Sequence, residues 1–181
     1  DLGARLLRGG YGTRVRTRVR TGNYSGPVSS SFHVRPATTA DVREIVRPLH
    51  PWVQRRILLG KEIVTLYEAV QEFAVAEIDD VVIGCGALHV IWEDLGEIRT
   101  LIVDSAWLGR GVGGALVEHL ERNARELGLS RLFCLTFEVP FFTRRGFSPI
   151  GEHIVDPDVY SQLLRSPDEG VAEFLDLAHV K

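Results

Sequence analysis

The sequence predicts an α/β fold in which helices flank a mixed central sheet. Three strand-like segments follow one another with only short polar turns between them, and such links join antiparallel neighbours. A long amphipathic segment then separates the third strand from a further apolar segment, as in a helical crossover between parallel strands. We therefore expect one domain whose sheet combines an antiparallel meander with a parallel pair.

The elements of the first half are predicted from local patterns. Alternation in FHVRPA predicts a short strand, and Thr38 and Thr39 before ADVREIVRPL predict an N-capped amphipathic helix that ends near Pro48. Helical spacing recurs over residues 53–59 and again after Thr65. Alternating or apolar runs between turn residues then predict the strands of the meander; they are 71–78, 81–92 and 96–104.

The second half begins with a helix that starts at Gly111. It has an apolar stripe, and Gly128 is suited to a left-handed cap at its end. The strongly apolar RLFCLTF predicts a strand that is buried on both faces. The remaining predictions are a short helix over 140–145 ended by Gly146, a segment FSPIG, a helix over 156–164 and a final strand over 171–180.

Composition limits the classes of function. The first 31 residues contain six arginines and one acidic residue and have almost no apolar periodicity, so we expect a flexible basic tail outside the fold. The chain starts at Asp1 and contains no methionine, so the origin of this tail is open. Residues 32–181 hold 15 basic and 23 acidic residues, a net charge of −8, which argues against nucleic acid as the main partner.

Other classes of site are not expected. No apolar run approaches the length of a membrane span. The six histidines are scattered without ligand spacing, so we predict no metal site. Cys85 and Cys134 are far apart within apolar runs, and we interpret them as buried core residues of a cytoplasmic protein.

The stretch LGRGVGGAL (108–116) contains G-x-G-x-x-G, the pattern usually quoted for dinucleotide binding. That fold places the glycines directly after a strand of a parallel sheet, whereas here five residues intervene and the preceding strands are antiparallel. A different phosphate ligand fits better, because glycines and a helix N-terminus can surround any anion. Gly111 and Gly113 are the informative glycines, and Gly109 is interpreted as a coincidence of the loop.

The order strand, loop, glycines, helix in LIVDSAWLGRGVGGALVEHL resembles motif A of the GNAT (GCN5-related) N-acetyltransferases. Further along, FFTRRGF resembles the family's aromatic and Gly-Phe segment near the pantetheine arm. The resemblance covers residues 32–181 and implies a GNAT acetyltransferase domain with acetyl-CoA as co-substrate. It implies contacts to the cofactor from the strand end, the glycine loop and the following helix; these residues are Leu101, Ile102, Val103, Arg110, Gly111, Val112, Gly113, Gly114 and Phe142.

Two positions depart from the family pattern. Leu108 stands where the motif usually has Gln or Arg, which removes one side-chain contact but leaves the backbone amides. Phe142 stands where the family usually has the tyrosine that acts as general acid, and a phenyl ring cannot protonate a departing thiolate. Either water supplies that proton or the coenzyme leaves as an anion.

The stretches GKEIVTLYEAVQEFAVAE, CGALHVIWEDLGEIRTLIVD and CLTFEVPFF are similar to the acetyltransferase domain of bacterial N-acetylglutamate synthases, particularly their short form. This resemblance implies transfer of acetyl from acetyl-CoA to the α-amine of L-glutamate, the first step of arginine biosynthesis. Glutamine is a second candidate acceptor. The sequence is also compatible with a GNAT enzyme that acts on another amine, such as a protein N-terminus or a small molecule, and with a non-catalytic acyl-CoA-binding regulator.

Attack of an α-amine on a thioester needs proton removal, and Glu97 is a reasonable general base beside the cofactor. Strict alternation would set Glu97, Arg99 and Leu101 on one face of the strand, with Ile98, Thr100 and Ile102 on the other. The alternative is that Glu97 is a strand-start carboxylate pairing with Arg99.

An amino acid with two carboxylates needs cations. Lys61, at a position that is commonly basic in these synthases, and Arg99 are the candidates, and Thr136 could donate a hydroxyl. Lys61 as an ordinary loop residue and Thr136 as an ordinary strand residue are the alternatives. The expected partners are small molecules, and a homodimer is left open.

Overall fold

The computed structural model describes residues 13–18, 32–46, 63–136 and 138–150. The predicted helices over 53–59 and 156–164 and the predicted strand over 171–180 lie outside the described residues. The strands are β1 (Thr13–Arg18), β2 (His33–Pro36), β3 (Phe73–Ile78), β4 (Val81–Trp92), β5 (Leu95–Val103), β6 (Arg131–Thr136) and β7 (Ser148–Pro149). The helices are α1 (Val42–Val46), α2 (Ile63–Glu68), α3 (Val112–Glu126) and α4 (Val139–Thr143), and short 3-10 turns precede α1, β3 and α3.

These strands form one sheet in the order β2-β3-β4-β5-β6-β1-β7. Strands β2 to β5 are antiparallel neighbours, as the short turns between β3, β4 and β5 require. Strand β6 lies parallel to β5 after the crossover through α3. The predicted mixed sheet, an antiparallel meander plus a parallel pair flanked by helices, is confirmed.

Strand β1 was not expected, because residues 1–31 were predicted to lie outside the fold. That prediction is wrong for Thr13–Arg18, which pair antiparallel with β6 over their whole length and with β7 at two positions. The segment alternates arginine with Thr or Val, and Val15 is fully buried while Arg16 is exposed. Alternation of one apolar residue with charged ones is sufficient for a strand when both neighbours supply hydrogen bonds.

The sheet separates two cores. On one face α3 buries a helical stripe of Val112, Leu116, Val117, Leu120 and Ala124, each at most 1% exposed. Burial of a Val or Leu side chain contributes about 1.5–3 kcal/mol, so this stripe is a main source of stability. On the opposite face α1 and α2 pack their apolar residues on β3 and β4.

A β-bulge interrupts the alternation of β5. Cys85 of β4 pairs with Ile102, but Ala87 pairs with Arg99, so β5 holds one extra residue at this point. Thr100 has φ +56°, which accommodates the extra residue. Leu101 therefore packs in the α3 core, and Ile102 packs in the opposite core on the Arg99 side. The predicted grouping of Leu101 with Glu97 and Arg99 is wrong, because alternation fails across a bulge.

Thr38, predicted to cap α1, is instead the N-cap of the 3-10 turn that leads into α1. Asp41 donates its N–H to the carbonyl of Thr38 (3.0 Å), and its carboxylate accepts the N–H of Thr38 (2.7 Å). Arg35 of β2 binds that carboxylate with two hydrogen bonds of 2.7 and 2.9 Å and also binds Glu77 of β3. The Arg35 hydrogen bonds lower the pKa of Asp41 to about 2. Arg35 thereby ties the start of α1 to the edge of the sheet.

Candidate active site

The central parallel pair of the sheet opens into a gap. Strands β5 and β6 pair only over Leu95–Glu97 and Arg131–Phe133. Past Glu97 and Phe133, β5 continues beside β4 and β6 continues beside β1. The edge of β5 that faces the gap therefore has main-chain groups that β6 does not satisfy, and a ligand extended along this edge can bind them as an added strand would.

The loop after β5 directs the chain into α3. Asp104 accepts the N–H of Ala106 on its side chain (2.8 Å) and begins a 3-10 turn. Gly109 and Gly111 then have φ values of +74° and +87°, and Gly111 is the N-cap of α3. Both values lie in the region that favours glycine. Gly109 is thus required by the turn and is not a coincidence of the loop, although Gly111 is the glycine that begins the helix.

The N-terminus of α3 has the properties of an anion site. Its first helical hydrogen bond is donated by Ala115 to the carbonyl of Gly111 (3.0 Å). The N–H groups of residues 112–114 precede that bond and carry the positive end of the helix dipole. Arg110, beside the cap, is exposed and lies 5.1 Å from the ring of Trp107. A phosphate group at this terminus would meet backbone donors and one nearby cation.

The next two glycines of the motif give room to one side chain from α4 and one from the turn that follows it. A Cβ atom on Gly113 would lie 3.3 Å from the ring of Phe141, and one on Gly114 would lie 2.4 Å from Nη2 of Arg145. The Arg145 guanidinium stacks on Phe141 at 3.9 Å and donates to its carbonyl (3.0 Å). A second cation thus lies against the first turn of α3, a contact that the sequence did not predict.

Glu97 and Arg99 lie where the gap begins. Both are half-buried on the α1 and α2 face of β5. Glu97 is opposite His89 across β4 and is the last residue of β5 that pairs with β6. Arg99 directly precedes the bulge at Thr100. Glu97, the predicted base, and Arg99, the predicted cation, therefore lie on the same face of the sheet, two residues apart along β5.

Arg99 belongs to a polar cluster with Glu72 and His89. Its Nη2 donates to Oε2 of Glu72 (2.8 Å), and Nδ1 of His89 lies 2.9 Å from Oε1 of the same carboxylate. Nη2 of Arg99 is also 2.9 Å from that Nδ1. Burial opposes ionisation of Glu72, but the hydrogen bond of His89 and the charge of Arg99 outweigh it and hold the pKa of Glu72 below its ordinary value.

Sequence reasoning assigned no role in the site to Glu72 or His89. His89 stands two residues from Ala87 in β4, so its side chain shares the Arg99 face, and that register was available from the predicted hairpin. Glu72 had no such signal. It ends the 3-10 turn before β3 and reaches the cluster from outside the hairpin.

The other predicted acceptor residues are in different situations. Thr136 is buried at the end of β6, and its hydroxyl oxygen accepts the N–H of Glu138 (2.9 Å), so the hydroxyl retains its proton for another acceptor. Lys61 lies outside the described residues.

Phe142 is a core residue. Its ring is 3% exposed and makes edge contacts with Phe141 and Phe147 at 5.0 and 5.2 Å. The position that is usually a tyrosine in the family is therefore filled here by an aromatic ring packed in the α3 core.

Neither cysteine is suited to nucleophilic attack. Both are buried, as predicted. Burial raises the pKa of Cys85 to about 12, and burial together with the charge of Glu97 raises the pKa of Cys134. Both thiols stay protonated near neutral pH, and the thiolate is the nucleophilic form.

Within the described ranges, no three His, Cys, Asp or Glu side chains are grouped as metal ligands. No helix in the part of the chain that the structure describes is long and apolar enough to cross a bilayer.

Comparison with known proteins agrees with this geometry. The model of the Acetyltransferase (GNAT) family matches residues 39–147. An amino-acid acetyltransferase of Mycobacterium tuberculosis is 54% identical over 151 residues, which make up 82% of this chain and 86% of that protein. The crystal structure of a Mycobacterium tuberculosis protein in complex with CoA and a second ligand is similar with a TM-score of 0.71 at 52% identity, covering 82% of this chain and 90% of that one.

A larger enzyme shares the fold. N-acetylglutamate synthase from Neisseria gonorrhoeae, complexed with CoA and N-acetyl-glutamate, has a TM-score of 0.65 at 27% identity over 82% of this chain. The matched region spans only 33% of that longer protein. The splayed sheet, the glycine-capped helix and these matches define an N-acetyltransferase. The chain belongs to the GNAT acetyltransferase family.

Proposed function

We propose that this protein transfers the acetyl group of acetyl-CoA to the α-amine of an amino acid, with L-glutamate as the preferred acceptor and L-glutamine as the alternative. One observation carries the proposal: a carboxylate and a guanidinium, Glu97 and Arg99, stand at the start of the gap between β5 and β6. The 54% identity to an amino-acid acetyltransferase supports the same acceptor class. The reaction would be the first step of arginine biosynthesis, in the cytoplasm.

The cofactor would enter along the gap. Its pyrophosphate would bind at the N-terminus of α3, where residues 112–114 offer backbone donors near Arg110. Its pantetheine arm would run along the free edge of β5 over Leu101–Val103. The thioester would then come close to Thr100 and Glu97, and a main-chain N–H of β5 would stabilise the oxyanion that forms in the transition state.

The proposed chemistry is direct transfer. Glu97 takes a proton from the ammonium group of the acceptor, directly or through water, and the neutral nitrogen attacks the thioester carbonyl. The N–C bond forms, the C–S bond breaks, and the second proton of the nitrogen passes to water, because Glu97 already holds the first. CoA departs as the thiolate and takes its proton from solvent, since Phe142 has none to give. The high pKa values of the buried thiols argue against an acetyl-cysteine intermediate.

Arg99 and Lys61 are the proposed acceptor ligands. Thr136 shares the α3 face of β6 with Cys134 and so lies on the opposite face from Arg99. A guanidinium can bind a carboxylate with two hydrogen bonds, while a lysine contributes a point charge. An anionic acceptor suits these cations better than a polyamine or a basic protein terminus would.

The test is a panel of amino acids assayed for CoA release by the full chain. We expect release with glutamate or glutamine well above the rate without acceptor. Equal rates with and without every acceptor would contradict the proposal. A non-catalytic regulator would bind CoA without turnover, and loss of turnover in Glu97→Gln and Lys61→Ala with CoA binding retained would exclude that role.

A further inference from the structure

The cluster around Arg99 contains an acid with a specific geometry. Glu72 is fixed by its backbone, because its N–H donates to the carbonyl of Ala69 (3.0 Å) in the turn before β3 and the next residue, Phe73, is buried. Its side chain is 27% exposed, that of Arg99 is 23% exposed, and that of His89 is 16% exposed. The three groups are therefore largely shielded from water, where charge-assisted hydrogen bonds are stronger than at the surface.

Glu72 engages only one nitrogen of Arg99. The hydrogen bond is made by Nη2, and within the described residues no hydrogen bond is made by Nε or Nη1. A guanidinium has five N–H donors arranged as forks. One carboxylate therefore orients the guanidinium through Nη2, while Nη1 keeps two N–H donors for a second carboxylate.

Two contacts compete for Nδ1 of His89. The 2.9 Å contact with Oε1 of Glu72 is favourable when Nδ1 carries a proton. The 2.9 Å contact with Nη2 of Arg99, which is only a donor, is favourable when Nδ1 has the lone pair.

We propose that Glu72 is a positioning residue for acceptor binding: it holds Arg99 by Nη2 and leaves Nη1 for a carboxylate of the amino-acid acceptor. This inference rests on the proposed amino-acid specificity. Glu72 does not touch the reacting atoms. It acts by fixing the conformation of the long Arg99 side chain before the acceptor arrives. Binding of the acceptor then costs less conformational entropy.

Two effects of Glu72 oppose each other. As a positioning group it lowers the cost of binding, whereas its negative charge reduces the attraction of Arg99 for an anion. We expect positioning to dominate, because a hydrogen bond to a charged group at 2.8 Å is largely shielded and directional. The sign of the change in KM on removing the charge distinguishes the two effects.

The experiment compares Glu72→Gln with the wild-type chain, using the best acceptor of the amino-acid panel. We expect the acceptor KM to rise about 10-fold or more. The KM for acetyl-CoA and kcat should stay within about threefold of wild type, because neither the cofactor contacts nor the reacting atoms change. An unchanged or lower acceptor KM would overturn the inference.

A double-mutant cycle shows whether Glu72 acts through Arg99. If it does, Glu72→Gln adds no further rise in acceptor KM in the Arg99→Ala background. An equal multiplicative rise in both backgrounds would overturn the inference. Should Glu72→Gln fail to fold, Glu72→Asp serves instead, because it keeps the charge but withdraws the carboxylate by about one C–C bond length. We expect the same rise in acceptor KM, with the KM for acetyl-CoA unchanged.

The matched control is Asp41→Asn. Asp41 also holds an arginine, accepting from Nη1 and Nη2 of Arg35 at 2.7 and 2.9 Å, but between β2 and α1, away from the gap. We expect this variant to lower the melting temperature and leave the acceptor KM unchanged. If the wild-type chain acetylates no amino acid, both the proposed function and this inference are overturned. If the wild type turns over normally and Glu72→Gln has an unaltered acceptor KM, only this inference is overturned.

Discussion

At Thr100 a single backbone dihedral decides which side chains share the candidate active site. A φ of +56° is unusual for a residue with a branched side chain and costs on the order of 1–3 kcal/mol. The conformation shifts the register by one residue, so that Arg99 stays beside Glu97 while Leu101 turns into the α3 core. Strain stored at this position thereby separates the proposed acceptor side of the sheet from the proposed cofactor side.

Glu97→Gln tests the proposed base. The amide keeps the size of the side chain but cannot take a proton, so kcat should fall about 10²-fold or more. Binding of CoA, measured by calorimetry, should not change, because the residue lies away from the α3 terminus. Glu93→Gln, at the exposed turn between β4 and β5, is the matched control and should retain wild-type kcat. Retention of full kcat in Glu97→Gln would show that another group removes the proton.

The two ends of α3 allow an effect on stability to be separated from an effect on cofactor binding. Gly111 and Gly128 stand at its two ends with φ values of +87° and +83°, and a Cβ atom would meet nothing within 4 Å at either. The chemical change to alanine is therefore the same at both ends: a residue with a side chain is forced into the left-handed region without a clash. Only the Gly111 end faces the proposed pyrophosphate.

We expect Gly111→Ala and Gly128→Ala to lower the free energy of unfolding by a similar amount, about 1–2 kcal/mol each. Only Gly111→Ala should also raise the KM for acetyl-CoA, since the cap conformation sets the direction of the first N–H groups. Thermal denaturation and steady-state kinetics on the pair measure the two effects separately. A similar rise in KM for both variants would contradict the assignment of the cofactor to this terminus.

The interior of α3 also contains His119, which is 9% exposed and whose Nε2 is buried with no hydrogen-bond partner among the residues that the structure describes. Burial and the charge of Arg122 lower the pKa of His119 below its ordinary value. The unfolded chain therefore binds a proton more readily than the folded one, and stability is lost as the pH falls below about 6.5. Above that pH both states are neutral at this residue and the effect vanishes.

His119→Leu should reduce the loss of stability between pH 7.5 and pH 5.5. The leucine fills a similar buried volume and has no proton to gain. The measurement is the midpoint of urea unfolding at the two pH values, for the variant and for His33→Leu as an exposed control. An identical pH dependence in the wild type and in His119→Leu would assign the effect to other groups.

The elements also show what local sequence can and cannot give. Strand β4 has the predicted bounds and α3 begins and ends at its glycines, because alternation, helical periodicity and positive φ are local properties. The bulge in β5 was not foreseen, since nothing near Thr100 marks an extra residue. Glu72 was missed for a related reason: its partners are 17 and 27 residues away, and only the tertiary fold brings them together.

In the whole molecule, β1 completes the sheet between β6 and β7, so residues from the first part of the chain support the strand that forms one side of the gap. A basic composition predicted a tail, because the apolar content of TRVRTR is low. The one valine of β1, Val15, is buried, and Arg16 and Arg18 are exposed. A strand rich in arginine can therefore still join the sheet.

Val15→Ala should lower the free energy of unfolding by about 1–3 kcal/mol, because it removes two methyl groups from a fully buried position. Arg16→Ala, on the exposed face of the same strand, should change it by less than about 0.5 kcal/mol. Chemical denaturation of both variants measures the difference. Equal stabilities for both would mean that β1 contributes little to the folded state.

The ion pair of Arg131 with Asp94 bears on the dimensions of the gap. Asp94 also accepts the N–H groups of Ser130 and Arg131 on its carbonyl, at 3.0 and 2.9 Å, so the beginnings of β5 and β6 are fastened together. Pairing of β5 with β6 ends at Glu97, so Ile98–Val103 of β5, about 20 Å of strand, faces the gap. A thioester arm bound as proposed would enter from the α3 end. Its acyl group would meet paired backbone at Glu97, which would limit the length of the acyl chain that fits.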